Sequence, residues 1–269
     1  MKPFKYYLIF LIPIIFVLGN MYGGIFNYSV VFTIFVITPI ADLLIGTDKS
    51  NPSTDEEAKV KNMFQFRFIT YLCVPIQICI ITMALFIFNN SAMTISESVG
   101  FIISAGITSG ILGINIAHEL SHRLNNKIEP LLARILLLTV GYVHWSIEHV
   151  YGHHRTVATP DDPATARYGE TIISFLPRTI ICGMMSSWRI ETGRLRKRGI
   201  KKWSIHNTVL FYSTLYFLTV LLIYTVFGPK ATIFFITQGA VAIILLEIVN
   251  YVEHYGLKRK KSAKTNMNW

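Results

Sequence analysis

The chain has 269 residues, 52% of them hydrophobic and only 15% charged, with a mean hydropathy of +0.47 and a formal net charge of +10. Those proportions lie outside the range of water-soluble domains and exclude a purely extramembrane enzyme. In chain order, the apolar runs Phe4–Gly24, Phe26–Ile45, Phe68–Phe88 and Ile95–Ala117 come first, and Thr208–Gly228 and Ala231–Tyr251 come last. Each is long enough, as helix, to cross roughly 30 Å of hydrocarbon. Lys2 and Lys5 followed by apolar residues suggest a secretion signal, but no small-x-small cleavage site follows, so the run is expected to be retained as a span. The last two runs are joined only by Pro229 and Lys230 and predict a helical hairpin. Residues 121–207 lie between the fourth and fifth spans. Within them Leu131–Ile147 is apolar but too interrupted for a seventh span, and is expected to be re-entrant or to lie along the interface. The expected fold is therefore all-α: a polytopic membrane bundle of six transmembrane helices, forming one integral-membrane domain over 1–269.

With the N-terminus placed inside, 24 of the 25 Lys and Arg residues fall on the inner side, and only Lys230 falls outside. Positive charge is retained preferentially on the cytoplasmic side, so this asymmetry predicts a multi-pass inner-membrane protein with a cytoplasmic N-terminus. The net charge then belongs to one membrane face. Anionic lipid headgroups or an acidic electron-transfer protein are its natural partners, and no nucleic acid is expected. Cys73, Cys79 and Cys182 have no metal-ligand spacing and read as small hydrophobes.

Six of the eight histidines fall in three strings: HELSH at His118–His122, EHVYGHH at Glu148–His154, and NYVEHYG at Asn250–Gly256. Each ends an apolar stretch on the expected cytoplasmic side. Residues four apart share a helix face, so His118 with His122, and His149 with His153, are placed to close on one metal, with His154 beside them at the turn. His254 lies beyond Asn250 and Glu247 on a polar stripe that must face the bundle interior. Each string also carries an acid next to a histidine: Glu119, Glu148 and Glu253. These carboxylates suit either the hydrogen bond that orients a ligating imidazole or direct ligation. His206, in a basic connector, reads as a plain loop residue.

HELSH alone fits a zinc hydrolase, with two histidine ligands and Glu119 as general base, so an intramembrane zinc metalloprotease is one reading. That reading leaves EHVYGHH unexplained. Six imidazoles exceed what one tetrahedral zinc needs and suggest two metals, with iron and dioxygen chemistry the natural use in an apolar setting. Spacing alone does not choose the metal.

HELSHR, EHVYGHHRTVATPDDPATARYGE and NYVEHYGL, together with PIADLLIGTDKSNP at Pro39–Pro52 and WRIETGRLRKRG at Trp188–Gly199, resemble the motifs of the membrane alkane 1-monooxygenases. These are relatives of xylene monooxygenase and, more distantly, of membrane fatty-acid desaturases. The resemblance covers essentially the whole chain. It implies that His118, His122, His149, His153, His154 and His254 ligate two Fe ions. It further implies that rubredoxin supplies electrons, and that dioxygen is used to hydroxylate the terminal methyl of an alkane. It also places the second span beside the substrate channel, with Ile34 and Thr38 on the helix face that leads to Asp42. In that family a further box, LQRHxxHH, follows NYxEHYGL, whereas this chain ends at Lys264–Trp269. The expectation is a fragment of a longer reading frame; the alternative is a degenerate, non-catalytic remnant.

Overall fold

A computed structural model describes residues 3–46, 63–124 and 126–259. Lys2, Lys49, Lys59, Lys61, Lys260, Lys261 and Lys264 of the charge argument, and the sequence from Thr47 to Pro52, lie outside the described residues. Every regular element among the described residues is helical. Six helices are long and apolar enough to span a bilayer: α1 (Lys5–Tyr22), α2 (Gly24–Ile45), α3 (Phe64–Asn90), α4 (Ile95–Ser121), α8 (Thr208–Phe227) and α9 (Pro229–His254). Three shorter or more polar helices lie between α4 and α8: α5 (Ile128–Leu138), α6 (residues 145–156) and α7 (Ile172–Lys197). The six expected spans are all present, and α3, α4 and α9 each run three or four residues past their expected ends on the side of the boxes or of Arg67.

The chain forms two compact units, Met1–Val143 with Tyr212–Leu245, and His144–Phe211 with Leu246–Trp269. The first unit is built on aromatic packing. Phe88 stacks on Phe234 at 5.0 Å between ring centroids, and Phe101 lies 5.4 Å from Phe234 and 5.1 Å from Phe16. Such rings bury large area with few polar atoms, which suits helices that must also present apolar side chains to lipid. Met21 and Leu43, among many others, remain exposed on α1 and α2. Helix α4 starts at a capping box, in which the Thr94 hydroxyl accepts the Glu97 N–H while Glu97 Oε2 accepts the Thr94 N–H at 2.8 Å. Lys230 stands in the first turn of α9, where its Nζ donates to the Ser91 carbonyl at 2.7 Å and sits over the Phe88 ring.

Helix α5 enters this unit and stops inside it. Its end at Thr139 is held by two glutamines from spanning helices: Gln77 Nε2 donates to Thr139 Oγ1 at 3.1 Å and Gln238 Nε2 to the Thr139 carbonyl at 2.9 Å. Ser109 in turn donates to Gln238 Oε1 at 2.8 Å. Away from water, a helix end needs such partners for its last carbonyls. The backbone here is close enough to α9 that a β-carbon on Gly239 would come within 2.6 Å of the Val140 carbonyl oxygen. The C-terminal end of the interrupted stretch from Leu131 is thus packed into the core of the first unit.

In the second unit, α7 was not anticipated as a helix by the apolar pattern. Its buried stripe runs Phe175, Thr179, Gly183, Ser187, Glu191 and Leu195, one residue per turn and mostly small or polar. Glu191 is spent on the start of α8, where its Oε1 accepts the Thr208 N–H at 2.8 Å and a guanidinium N–H of Arg194 at 2.7 Å.

Candidate metal centre

In the first unit, α4 is wound as a π-helix over Gly110–Asn115 and returns to α-helix at Ile116–Ser121, so the HELSH string occupies its last turn. As the i, i+4 spacing requires, the His118 and His122 rings meet edge to face at 4.7 Å with their Nε2 atoms 3.2 Å apart, which places both nitrogens for one ion. Burial first, and the neighbouring His118 second, hold the His122 imidazole below its ordinary pKa. That favours the neutral form a metal needs. Glu119 lies on the adjacent stripe, where it accepts Arg123 Nη2 at 2.6 Å and Nε at 3.2 Å.

The second unit holds the other strings. Residues His149–His153 form a π turn inside α6, in which the His149 ring stacks on His153 at 5.4 Å and also meets His154 edge to face at 4.5 Å. The i, i+4 spacing predicts that His149 faces His153. The wider π turn brings residue i over i+5, so His149 Nε2 lies 3.0 Å from His154 Nε2 and this pair offers the closely spaced donors. His153 is turned toward Asp162, with Nδ1 3.0 Å from Oδ2. Asp162 also accepts the Thr165 hydroxyl at 2.5 Å and the Ala164 N–H at 3.1 Å.

A carboxylate can only accept from an imidazole N–H, so Nδ1 of His153 carries a proton. Burial lowers the pKa of this ring, but the hydrogen bond and charge of Asp162 outweigh it and hold the group above its ordinary value. A carbonyl oxygen likewise only accepts, so Nδ1 of His254, 3.0 Å from the Asn250 carbonyl oxygen, carries a proton too, and its ring meets that of His153 at 4.9 Å. Imidazoles oriented in this way through Nδ1 are of the kind that bind iron, zinc or copper. Glu247 and Asn250 are buried, and Glu247 Oε2 accepts from Thr179 Oγ1 at 2.9 Å and Asn250 Nδ2 at 3.2 Å, so the polar stripe on α9 does face the interior.

The three acids flagged beside histidines have different environments. Glu119 is paired with Arg123, and Glu253 is exposed. Glu148 is buried, and burial followed by the charge of Asp162 pushes its carboxyl up to about 7. Gly152 leaves space for it, since a β-carbon there would approach Glu148 Oε1 to 2.5 Å. His206 is exposed. Ile34 is half-buried against the core cluster of the first unit, while Thr38 is exposed and its hydroxyl donates to the Thr33 carbonyl across a further π turn, Thr33–Ile37.

Asp162, which orients His153, was not flagged in the sequence. It sits in a turn-rich loop, residues 157–171, that is tied down in several places. Arg178 grips Glu170 through Nε–Oε1 at 2.6 Å and Nη2–Oε2 at 2.8 Å, and donates to the carbonyls of Pro163 and Thr165 at 3.1 Å each. The end of α9 adds the Gly256 N–H to the Ala166 carbonyl and the Tyr251 hydroxyl to the Glu170 carbonyl.

An all-helical membrane protein whose helix ends carry oriented imidazoles belongs to a recognisable class, and sequence comparison specifies which. The family model for fatty acid desaturase matches residues 97–269, and the chain belongs to that family. It is 36% identical to an alkane 1-monooxygenase of Acinetobacter baylyi, over 86% of this chain and 56% of the relative. It is 37% identical to an alkane 1-monooxygenase of Pseudomonas putida, over 91% of this chain and 61% of the relative. The hydroxylase component of the xylene/toluene monooxygenase of Pseudomonas putida is 28% identical, over 96% of this chain and 69% of that protein. The chain spans less than two thirds of the length of the two alkane 1-monooxygenases.

Proposed function

We propose that this chain carries the membrane and histidine-box portion of a di-iron monooxygenase that hydroxylates the terminal methyl of alkanes, using dioxygen and electrons from rubredoxin. The observation that carries the reading is the state of the imidazoles. His118 with His122 and His149 with His154 are paired nitrogen to nitrogen, and His153 and His254 are each oriented through Nδ1. His118, His122, His149, His153, His154 and His254 would hold the two irons, which when bound supply the dioxygen-activating redox chemistry. Asp162 and the Asn250 carbonyl fix ring tautomers, and buried Glu148 is placed as an additional ligand or as an orienting acceptor. Spanning helices would deliver the alkane from the bilayer, with Ile34 and Thr38 of α2 along the route and the surrounding apolar side chains excluding water.

The test is metal and product analysis of the purified protein. Roughly two irons per chain are expected, with 1-alcohol formed from an alkane only when dioxygen and reduced rubredoxin are present. Ile34→Trp should shorten the longest alkane accepted. About one zinc, with peptide cleavage lost in Glu119→Gln, would replace this reading with a zinc hydrolase. The ion pair of Glu119 with Arg123 weighs against that role. Neither metal nor turnover would leave a non-catalytic membrane protein.

The charge asymmetry supports an inner-membrane protein with its N-terminus and boxes in the cytoplasm. A reporter fused after Lys202 should read cytoplasm and one at Lys230 periplasm; the reverse pattern would overturn the orientation.

A further inference from the structure

We infer that Glu129 is a positioning residue for the first histidine pair, acting through Arg123 to hold the helix turn that bears His118 and His122. Only the description of that pair as metal ligands rests on the function proposed above. Glu129 lies in the first turn of α5 with its side chain fully buried. One oxygen, Oε1, accepts Arg67 Nε at 2.9 Å, Arg67 Nη2 at 2.7 Å and the Tyr71 hydroxyl at 2.7 Å, with Arg123 Nη1 at 3.4 Å. The other, Oε2, is buried with no hydrogen-bond partner among the described residues. Burial pushes this carboxyl up, but Tyr71, Arg67 and the charge of Arg123 outweigh it and hold the group below its ordinary value.

A buried charge of this kind is a poor way to stabilise a helix contact, because an apolar side chain of similar volume would serve as well or better. What an apolar residue cannot do is hold Arg123. That guanidinium faces Glu129 with Nη1 and grips Glu119 with Nη2 and Nε. Glu119 follows His118 and Arg123 follows His122, so the two i, i+4 pairs lie side by side on the final turn of α4. A last helical turn lacks the backbone bonds that fix interior turns and frays first. The chain Arg67–Glu129–Arg123–Glu119 ties that turn to α3 and α5. A planar guanidinium reaching two carboxylates at once cannot be copied by a lysine.

Amide hydrogen exchange of the full chain in lipid nanodiscs, metal-free and with added Fe(II), tests this. In Glu129→Gln the amides of residues 118–123 should exchange about tenfold faster while those of 149–154 are unchanged, and Fe(II) should be held about tenfold more weakly against a competing chelator. Tyr71→Phe, which removes one donor, should move the same amides by a smaller factor, and Arg123→Lys should match Glu129→Gln. If Glu129→Gln does not fold, those two milder variants decide the matter. Unchanged protection of 118–123, or an equal rise along the whole chain, would overturn the role of Glu129. If the unaltered protein binds no Fe(II), the proposed function fails while the metal-free comparison still reports on Glu129.

Discussion

On the function proposed above, His149→Ala is expected to abolish hydroxylation and to remove at least one iron. The same should hold for His118→Ala and His254→Ala. Loss of a residue that merely orients a metal ligand typically costs ten- to a hundredfold in affinity or activity, so loss of a ligand should cost at least about a hundredfold. The geometry says why His149 acts with its neighbour. His149 and His154 present their Nε2 atoms 3.0 Å apart, so truncating one leaves its partner as a single weak donor. Asp162→Ala should give the intermediate, orienting-residue effect, because it frees the Nδ1 of His153 without removing an imidazole. The exposed His206 serves as the control, and His206→Ala should match the unaltered protein in iron content and rate. Full activity in His254→Ala would remove the end of α9 from the centre.

Arg178→Ala should be the most destabilising single change in the second unit, lowering stability by about 3 kcal/mol. It deletes a two-pronged ion pair and two further hydrogen bonds to loop carbonyls, and strands the largely buried carboxylate of Glu170. The same loop carries Asp162, so the orientation of His153 is lost with it. Arg178→Lys should recover only part, since an ammonium cannot match the fork. The pH dependence has a definite sign. Hydrogen bonding from Arg178 holds the Glu170 carboxyl below its ordinary value of 4.5. A group with a lowered folded-state pKa stabilises above its unfolded value and loses that contribution as pH falls through the lowered one. Thermal unfolding in detergent should therefore show an acid-labile component below pH 4.5 that is missing from Arg178→Ala. An identical acid profile in both proteins would rule the pair out as its source.

The spans were legible because each is a run of about twenty apolar residues, and hydrocarbon leaves a backbone few alternatives to helix. The inward face of α9 was legible for a related reason: Glu247, Asn250 and His254 cannot face lipid. Helix α7 was not. Arg178, Arg189, Arg194, Arg196 and Lys197 interrupt its apolar content, Pro177 falls within it, and its buried stripe includes glycine, serine and glutamate. Nor did spacing disclose that His149 meets His154 as well as His153. Two adjacent histidines allow either an α or a π reading, and the choice depends on packing around the turn, where Gly152 makes room for the buried Glu148. Asp162 was hidden because it reaches His153 from a loop eight residues past the box, whereas sequence adjacency singles out only the acids next to the histidines.

The anchoring of α5 bears on the order in which the chain must be assembled in the bilayer. The end of α5 takes one amide from Gln77, 62 residues earlier, and another from Gln238, 99 residues later. When α5 leaves the ribosome the first partner already exists, but the second has not been made. Until α8 and α9 are threaded, the Thr139 carbonyl lacks its donor, and a bare carbonyl in hydrocarbon is costly. Docking of this end is therefore expected to be complete only when the closing hairpin delivers Gln238. Biogenesis of this protein would then end, rather than begin, with the seating of α5.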